Sequence, residues 1–321
     1  MDGPAQSKET IIGLQLQTTE GTAKQDSVVW CPYADASDLG FRGGMTPLDQ
    51  ADTLHQIGIA VPGGSWVEGR LPLRFRPVAG FLNLFFGTGG ALNSASRDTY
   101  NNPPCLSIIR VDKVSGSQRK IGFMDCRVGS WRLRGQAGRG RPVEFEASIF
   151  GKQSFAVTAS PSGSFGAPYL VSQAYIDIST AGGSYSQDLN IEEFEITGEE
   201  NLKDIDQQFR AGTGNTPYRM DCEGEQEISI RVTRDLVDTV LYDLWNSQVD
   251  NGSIDSSNAL ALRFRFIAGG VTCTLTAARC AIREYTDELP GSKKGTRKEV
   301  FTVDCYASAD GATAALQAGV S

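Results

Sequence analysis

Alternation is the feature that most limits what this chain can become. Leu71, Leu73 and Phe75 interleave with Arg70, Arg74 and Arg76 around Pro72, and Val143, Phe145 and Ala147 interleave with Glu144, Glu146 and Ser148. Ile228, Ile230 and Val232 alternate with Glu227, Ser229 and Arg231, while Leu262, Phe264 and Phe266 alternate with Arg263 and Arg265. Val300 to Cys305 continues the theme. Successive side chains of a strand point to opposite faces, so a period of two sorts apolar from polar residues across a sheet. Each run is bounded by Gly, Asn, Asp, Ser or Pro, which predicts antiparallel strands with one wet face. The 36 glycines and 13 prolines suit many short strands joined by tight turns. With 321 residues, 40% of them hydrophobic, the chain can bury ordinary cores and has room for two domains.

Two segments depart from this rhythm. Val78, Phe81, Leu82 and Phe85 fall at helical spacing behind Pro77, a residue suited to a helix start. Leu236, Val237, Val240, Leu241, Leu244 and Trp245 form a second apolar stripe. For it, Thr233 is the expected N-cap and Asp235 falls in the first turn. Each helix is expected to lay its stripe on a sheet.

The order of features recurs. The strand with Arg74 is followed by a helix, and so is the strand with Arg231, 157 positions on. Cys126 and Cys280 lie 154 apart. A basic loop then precedes an alternating strand that begins at Val143 or at Val300, again 157 apart. Landmarks in one order at nearly one offset point to an internal duplication. The expected fold is therefore mainly β with minor α: two similar tandem β domains, each with one short helix. The boundaries read 1–152 for the first domain, 153–169 for a turn-rich linker, 170–308 for the second domain and 309–321 for a C-terminal tail.

Chemistry is excluded more readily than assigned. The formal charge of −8 argues against a polyanion-binding surface spread over the chain. His55 is the only histidine, so a Ser-His-Asp or Cys-His arrangement has one place to stand, and no motif surrounds it. Ser117 to Lys120 matches S-x-x-K without its partner motifs. A Walker A loop and a dinucleotide-binding glycine turn are absent, and Gly87-Thr88-Gly89-Gly90 reads as a helix stop. The seven cysteines form no C-x-x-C pair, so free thiols made in a reducing cytosol are expected and no metal site. The N-terminal residues lack the leader pattern, and no apolar run approaches a membrane span. No enzyme and no cofactor are expected.

The run Gly64-Ser65-Trp66-Val67-Glu68-Gly69-Arg70-Leu71-Pro72-Leu73 leads into Phe81-Leu82-Asn83-Leu84-Phe85-Phe86-Gly87. Ile191-Glu192-Glu193-Phe194-Glu195-Ile196 and the strand–helix pair ending at Trp245 are its counterparts. This tandem arrangement resembles the major tail tube proteins of long-tailed bacteriophages, of the type with two fused tube domains. The resemblance implies two tandem tail-tube-type β-sandwich or barrel domains in a virion structural protein, made in the host cytoplasm and carried in the tail. It implies self-assembly into stacked rings, three chains supplying six domains or six chains as the alternative, and contact with other tail proteins. DNA would pass through the lumen without specific binding. If each domain lends four strands, a ring holds about 24; at roughly 4.8 Å per strand and a tilt near 40°, the lumen clears a DNA duplex. Acidic walls would repel phosphate and let DNA slide.

Two basic stretches are the candidate contacts between rings. They contribute Arg132, Arg134, Arg139 and Arg141 from the first half, and Lys293, Lys294, Arg297 and Lys298 from the second. A solvated hairpin tip explains them equally well. A nucleic-acid grip is disfavoured, because aromatic residues are not interleaved with the charges. The competing function is a receptor- or carbohydrate-binding β-sandwich. That function calls for clustered Trp and Tyr, whereas Trp30, Trp66, Trp131 and Trp245 are spread along the chain.

Overall fold

The computed structural model describes residues 10–32, 38–48, 59–76, 81–86, 103–114, 117–162, 167–210, 216–255, 258–288, 296–307 and 315–320. Statements below concern these residues. His55, Pro77, Val78, Lys293 and Lys294 lie outside them.

The protein is mainly β, as the alternation predicts. The first half runs β1 (Thr10–Leu16), β2 (Val29–Pro32), β3 (Gly40–Leu48), β4 (Ile59–Arg74), helix α1 (Phe81–Phe86), β5 (Leu106–Val114), β6 (Ser117–Gln136), β7 (Glu144–Gly151) and β8 (Gln153–Phe155). The second runs β9 (Ala174–Thr180), β10 (Ser186–Gln187), β11 (Ile191–Glu199), β12 (Glu227–Asp235), α2 (Val240–Asn251), β13 (Leu260–Ala268), β14 (Val271–Glu288), β15 (Lys298–Cys305) and β16 (Gln317–Val320). Thus β8 falls within the stretch read as a linker and β16 within the stretch read as a tail.

Every pairing of the first half has a counterpart in the second, all antiparallel. β1–β2, β1–β5, β5–β6, β6–β7, β4–β7, β3–β4 and β6–β8 are matched by β9–β10, β9–β13, β13–β14, β14–β15, β12–β15, β11–β12 and β14–β16. Irregularities recur as well. The register slips beside Leu106↔Cys126 and beside Leu260↔Cys280, an offset of 154 on both strands. The slip around Gly129 in β6 returns around Arg283 in β14.

Of the three sequence landmarks, only the cysteine pair coincides with this pairing. The register sets Arg70, rather than Arg74, where Arg231 stands, because Arg70 pairs with Ser148 and Arg231 with Thr302. Likewise Glu146, rather than Val143, corresponds to Val300. The Arg74 landmark is off by four positions and the Val143 landmark by three, because residue type along a short alternating run does not by itself fix its register.

The long strands β6 and β14 each serve two layers. Residues 117–126 of β6 join β5 and β8, while residues 127–134 join β7. Between the layers lies one continuous apolar core. It holds Ile12, Leu14 and Ile108 from one layer with Leu71, Phe145 and Trp131 from the other, and the matching residues of the second half. Phe75, Tyr169 and Phe266 knit the halves together, with ring centroids 5.1–5.8 Å apart.

In α1, Phe81 and Phe85 of the expected stripe pack on Phe145 at 5.6 and 4.5 Å. For α2 the expected start needs correction. Thr233 and Asp235 belong to β12 and pair with Val300 and Lys298, so strand hydrogen bonds claim them. The helix begins at Val240 behind Thr239, with Asp238 Oδ1 accepting from the Val240 N–H at 3.1 Å. Gly252 closes it in the left-handed conformation at φ 60°, where glycine carries no Cβ penalty.

Candidate assembly surface

One sheet crosses both halves. β6 carries β7 on one side and β11 on the other, so the order reads β3-β4-β7-β6-β11-β12-β15-β14. The seam pairs Glu193 with Gln136 through Glu199 with Ser130. Glycines let it close. A Cβ on Gly198 would sit 2.3 Å from the Trp131 indole, and one on Gly135 would sit 2.5 Å from the Phe194 ring. The connection after β11 reaches back over the first half. The Glu200 N–H donates to the Gly129 carbonyl at 2.8 Å, and Phe209 meets Trp66 edge-on at 6.5 Å.

The two ends of this sheet are open. Among the described residues β3 pairs only with β4, and β14 beyond Cys280 pairs only with β15. A strand edge presents unpaired N–H and C=O groups and is a template for another chain.

One face of the sheet is apolar and covers the core; the other is polar and charged. In the first half the polar face carries Arg70, Arg74, Arg132 and Arg134 beside Glu144 and Glu146. In the second it carries Glu193, Glu195, Glu199, Glu227, Glu284 and Asp304 beside Arg231. This face is basic on one side of the seam and acidic on the other. Crowding shows in Glu199, whose carboxyl is pushed above its ordinary value by burial and by neighbouring Glu227 and Glu200.

Six of the eight basic candidates fall among the described residues, on different elements. Arg132 and Arg134 are strand residues in β6. Arg134 Nε donates to Glu144 at 2.6 Å, and Arg132 lies 3.7 Å from Glu146 and 3.9 Å from Glu195 across the seam. Arg139 and Arg141 stand in the exposed β6–β7 turn, where Arg141 hydrogen-bonds Gln136. Arg297 donates to Asp287 at 2.7 Å, and Lys298 pairs with Glu192. The alternation of Arg132-Leu133-Arg134 was the available signal that these two arginines belong to a strand.

Sequence reasoning missed a buried ionic cluster at the end of β12. Arg234 bonds Glu299, itself fully buried, Asp188 at 2.7 Å and Asp238 at 3.0 Å. Burial alone would lower the guanidinium's proton affinity, but its hydrogen bond to Asp188 and the Glu299 charge outweigh it and raise it. Tyr285 donates to the other Glu299 oxygen, and burial and this bond push its phenol up.

The described residues hold no cluster of three metal-ligating side chains, and no described helix is long and apolar enough to cross a membrane. All seven cysteines are free thiols. Burial pushes Cys31 and Cys105 up to about 11 and Cys273 to about 12, which suits packing rather than nucleophilic chemistry.

The fold is mainly β, with one sheet that runs through both halves. The chain belongs to the phage tail tube protein family, whose model matches residues 7–305. That family is structural and not enzymatic. No curated protein matches the chain at a significant level.

Proposed function

We propose that the protein is the subunit of a bacteriophage tail tube in which two tandem tube domains, near 1–152 and 170–308, act as one wall segment. The eight-strand sheet open at both ends carries this reading. Eight is an even number, so the last strand, β14, runs antiparallel to the first strand of an identical neighbour. Copies therefore add without breaking the antiparallel pattern. Three chains supply 24 strands in a pseudo-sixfold ring, and closure removes the edge that would otherwise aggregate. Six chains per ring is the alternative.

The polar face lines the channel and the helices lie outside. The net charge of −8 and the acidic sector of the second half favour a wall along which DNA slides without specific binding. The arginine sector is largely neutralised by Glu144, Glu146 and Glu195. Within the stack, Arg139 and Arg141 reach the adjacent ring, and the tube ends meet other tail proteins. The assembled protein resides in the virion tail.

Negative-stain microscopy of the purified chain at rising concentration tests this. Rings or tubes are expected, with shorter tubes for Arg139→Glu/Arg141→Glu. A monodisperse monomer at every concentration would overturn the reading.

A further inference from the structure

The seam inside the chain is a template for the contact between chains. Gly198 pairs with Ile228 as Phe41 pairs with Val67, and Trp131 lies opposite Ala147 as Tyr285 lies opposite Phe301. β11 therefore corresponds to β3, and the seam part of β6 to β14 beyond Cys280. Within the seam, Thr197 opposes Arg132, Gly198 opposes Trp131 and Glu199 opposes Ser130. Moving these pairs to the open edges gives Gly40 opposite Thr286, Phe41 opposite Tyr285 and Arg42 opposite Glu284.

We infer that a second copy of this chain docks its β14 edge on β3 in this register, through an aromatic clamp between Phe41 and the Tyr285–Trp245–Tyr242 cluster. The inference rests on the tube reading and assigns its lateral contact.

The side chains support the register independently of the backbone argument. Phe41 is 49% exposed although it lies on the core side of β3, 5.3 Å from Phe123. Tyr285 also lies on the core side, stacked on Trp245 of α2 at 6.0 Å and 20°, with Tyr242 at 5.6 Å and 44% exposed. Two exposed aromatic surfaces thus stand at opposite ends of one sheet and on the same face of it, where strand addition brings them together. Aromatic pairs of this kind gain from offset or edge contacts beyond area burial. On the opposite face, among the described residues Arg42 has only Asp38, at 3.5 Å, and Glu284 only Arg283, at 3.9 Å. The register sets these two opposite charges side by side, a favourable cross-strand pair. A slip of one residue would turn Phe41 toward a polar-face residue and lose both matches.

The test is cysteine bridging in the assembled full-length protein. Phe41→Cys/Tyr285→Cys, treated with a short bis-methanethiosulfonate, is expected to give covalent dimers and higher oligomers. Each single variant should give at least tenfold less. Should these substitutions prevent folding, hydrogen exchange on the wild-type chain replaces them. Amides of 40–42 and 284–286 should slow at least tenfold on assembly. Tubes that form without bridging, or without added protection at these strands, would overturn the register and leave the tube reading standing. Wild-type protein that never assembles would overturn both.

Discussion

The first and second halves share one pairing scheme but fill it with opposite chemistry. Beneath the end of the sheet the first half stacks Leu73, Phe145 and Leu133, all buried. At the same three pairing positions the second half sets Arg234 and Glu299, joined to Asp188, Asp238 and Tyr285, and Asp287, which pairs with Arg297. The polar faces diverge as well, arginine-rich in one half and glutamate-rich in the other. The backbone ladder and the alternation therefore carry the architecture. What occupies each layer is free to vary, provided that buried charges find partners.

Three experiments bear on this comparison. The largest effect is expected in the ionic layer. Arg234→Leu leaves Glu299 and Asp188 buried without their counter-charge and should cost about 3–5 kcal/mol in urea unfolding. Adding Glu299→Phe rebuilds part of the first half's layer and should recover much of the loss. A double variant as unstable as the single one would break the equivalence of the layers.

Next is the seam. Gly198→Ala drives a methyl into Trp131 and should cost about 1–3 kcal/mol through overpacking. Phe41→Ala, at the equivalent position of the open edge, should leave the isolated chain's melting temperature nearly unchanged. Equal losses in both would mean that the edge is already supported within the chain.

The smallest effect concerns Asp177, which is buried and accepts from Arg263 and from Arg265, each at 2.7 Å. Burial acts to raise its carboxyl, but the two arginines outweigh this and hold it below the ordinary 3.8. Its contribution is complete above that value and is lost as pH falls through the lower folded-state value. Both arginines are about a third exposed, so Asp177→Asn should cost about 1–2 kcal/mol near neutral pH. The difference from wild type should shrink in acid, read from melting temperature against pH.

Strand identity was legible in the sequence wherever alternation was strict, as at Leu71–Phe75, Val143–Ala147 and Ile228–Val232. Of the helical stripes, Phe81 with Phe85 and Leu241 with Leu244 were legible, whereas Leu236 and Val237 precede α2 and Val240 is exposed. The start of α2 was not, because Thr233 and Asp235 satisfy a helix-cap pattern locally while β15 offers them a full ladder. Arg132 and Arg134 were grouped with a loop because their charge drew more notice than their spacing. Glu299 showed no sign of burial, since Arg234, its partner, lies 65 positions away.

Alone, the amino-acid order determined which residues face oil and which face water, because that division has a period of two and needs only near neighbours. Which strands stand side by side, where the seam closes and which charges are buried were decided only in three dimensions. Those outcomes depend on contacts between residues far apart in the chain, and the energy of such contacts exists only once the backbone has brought them together.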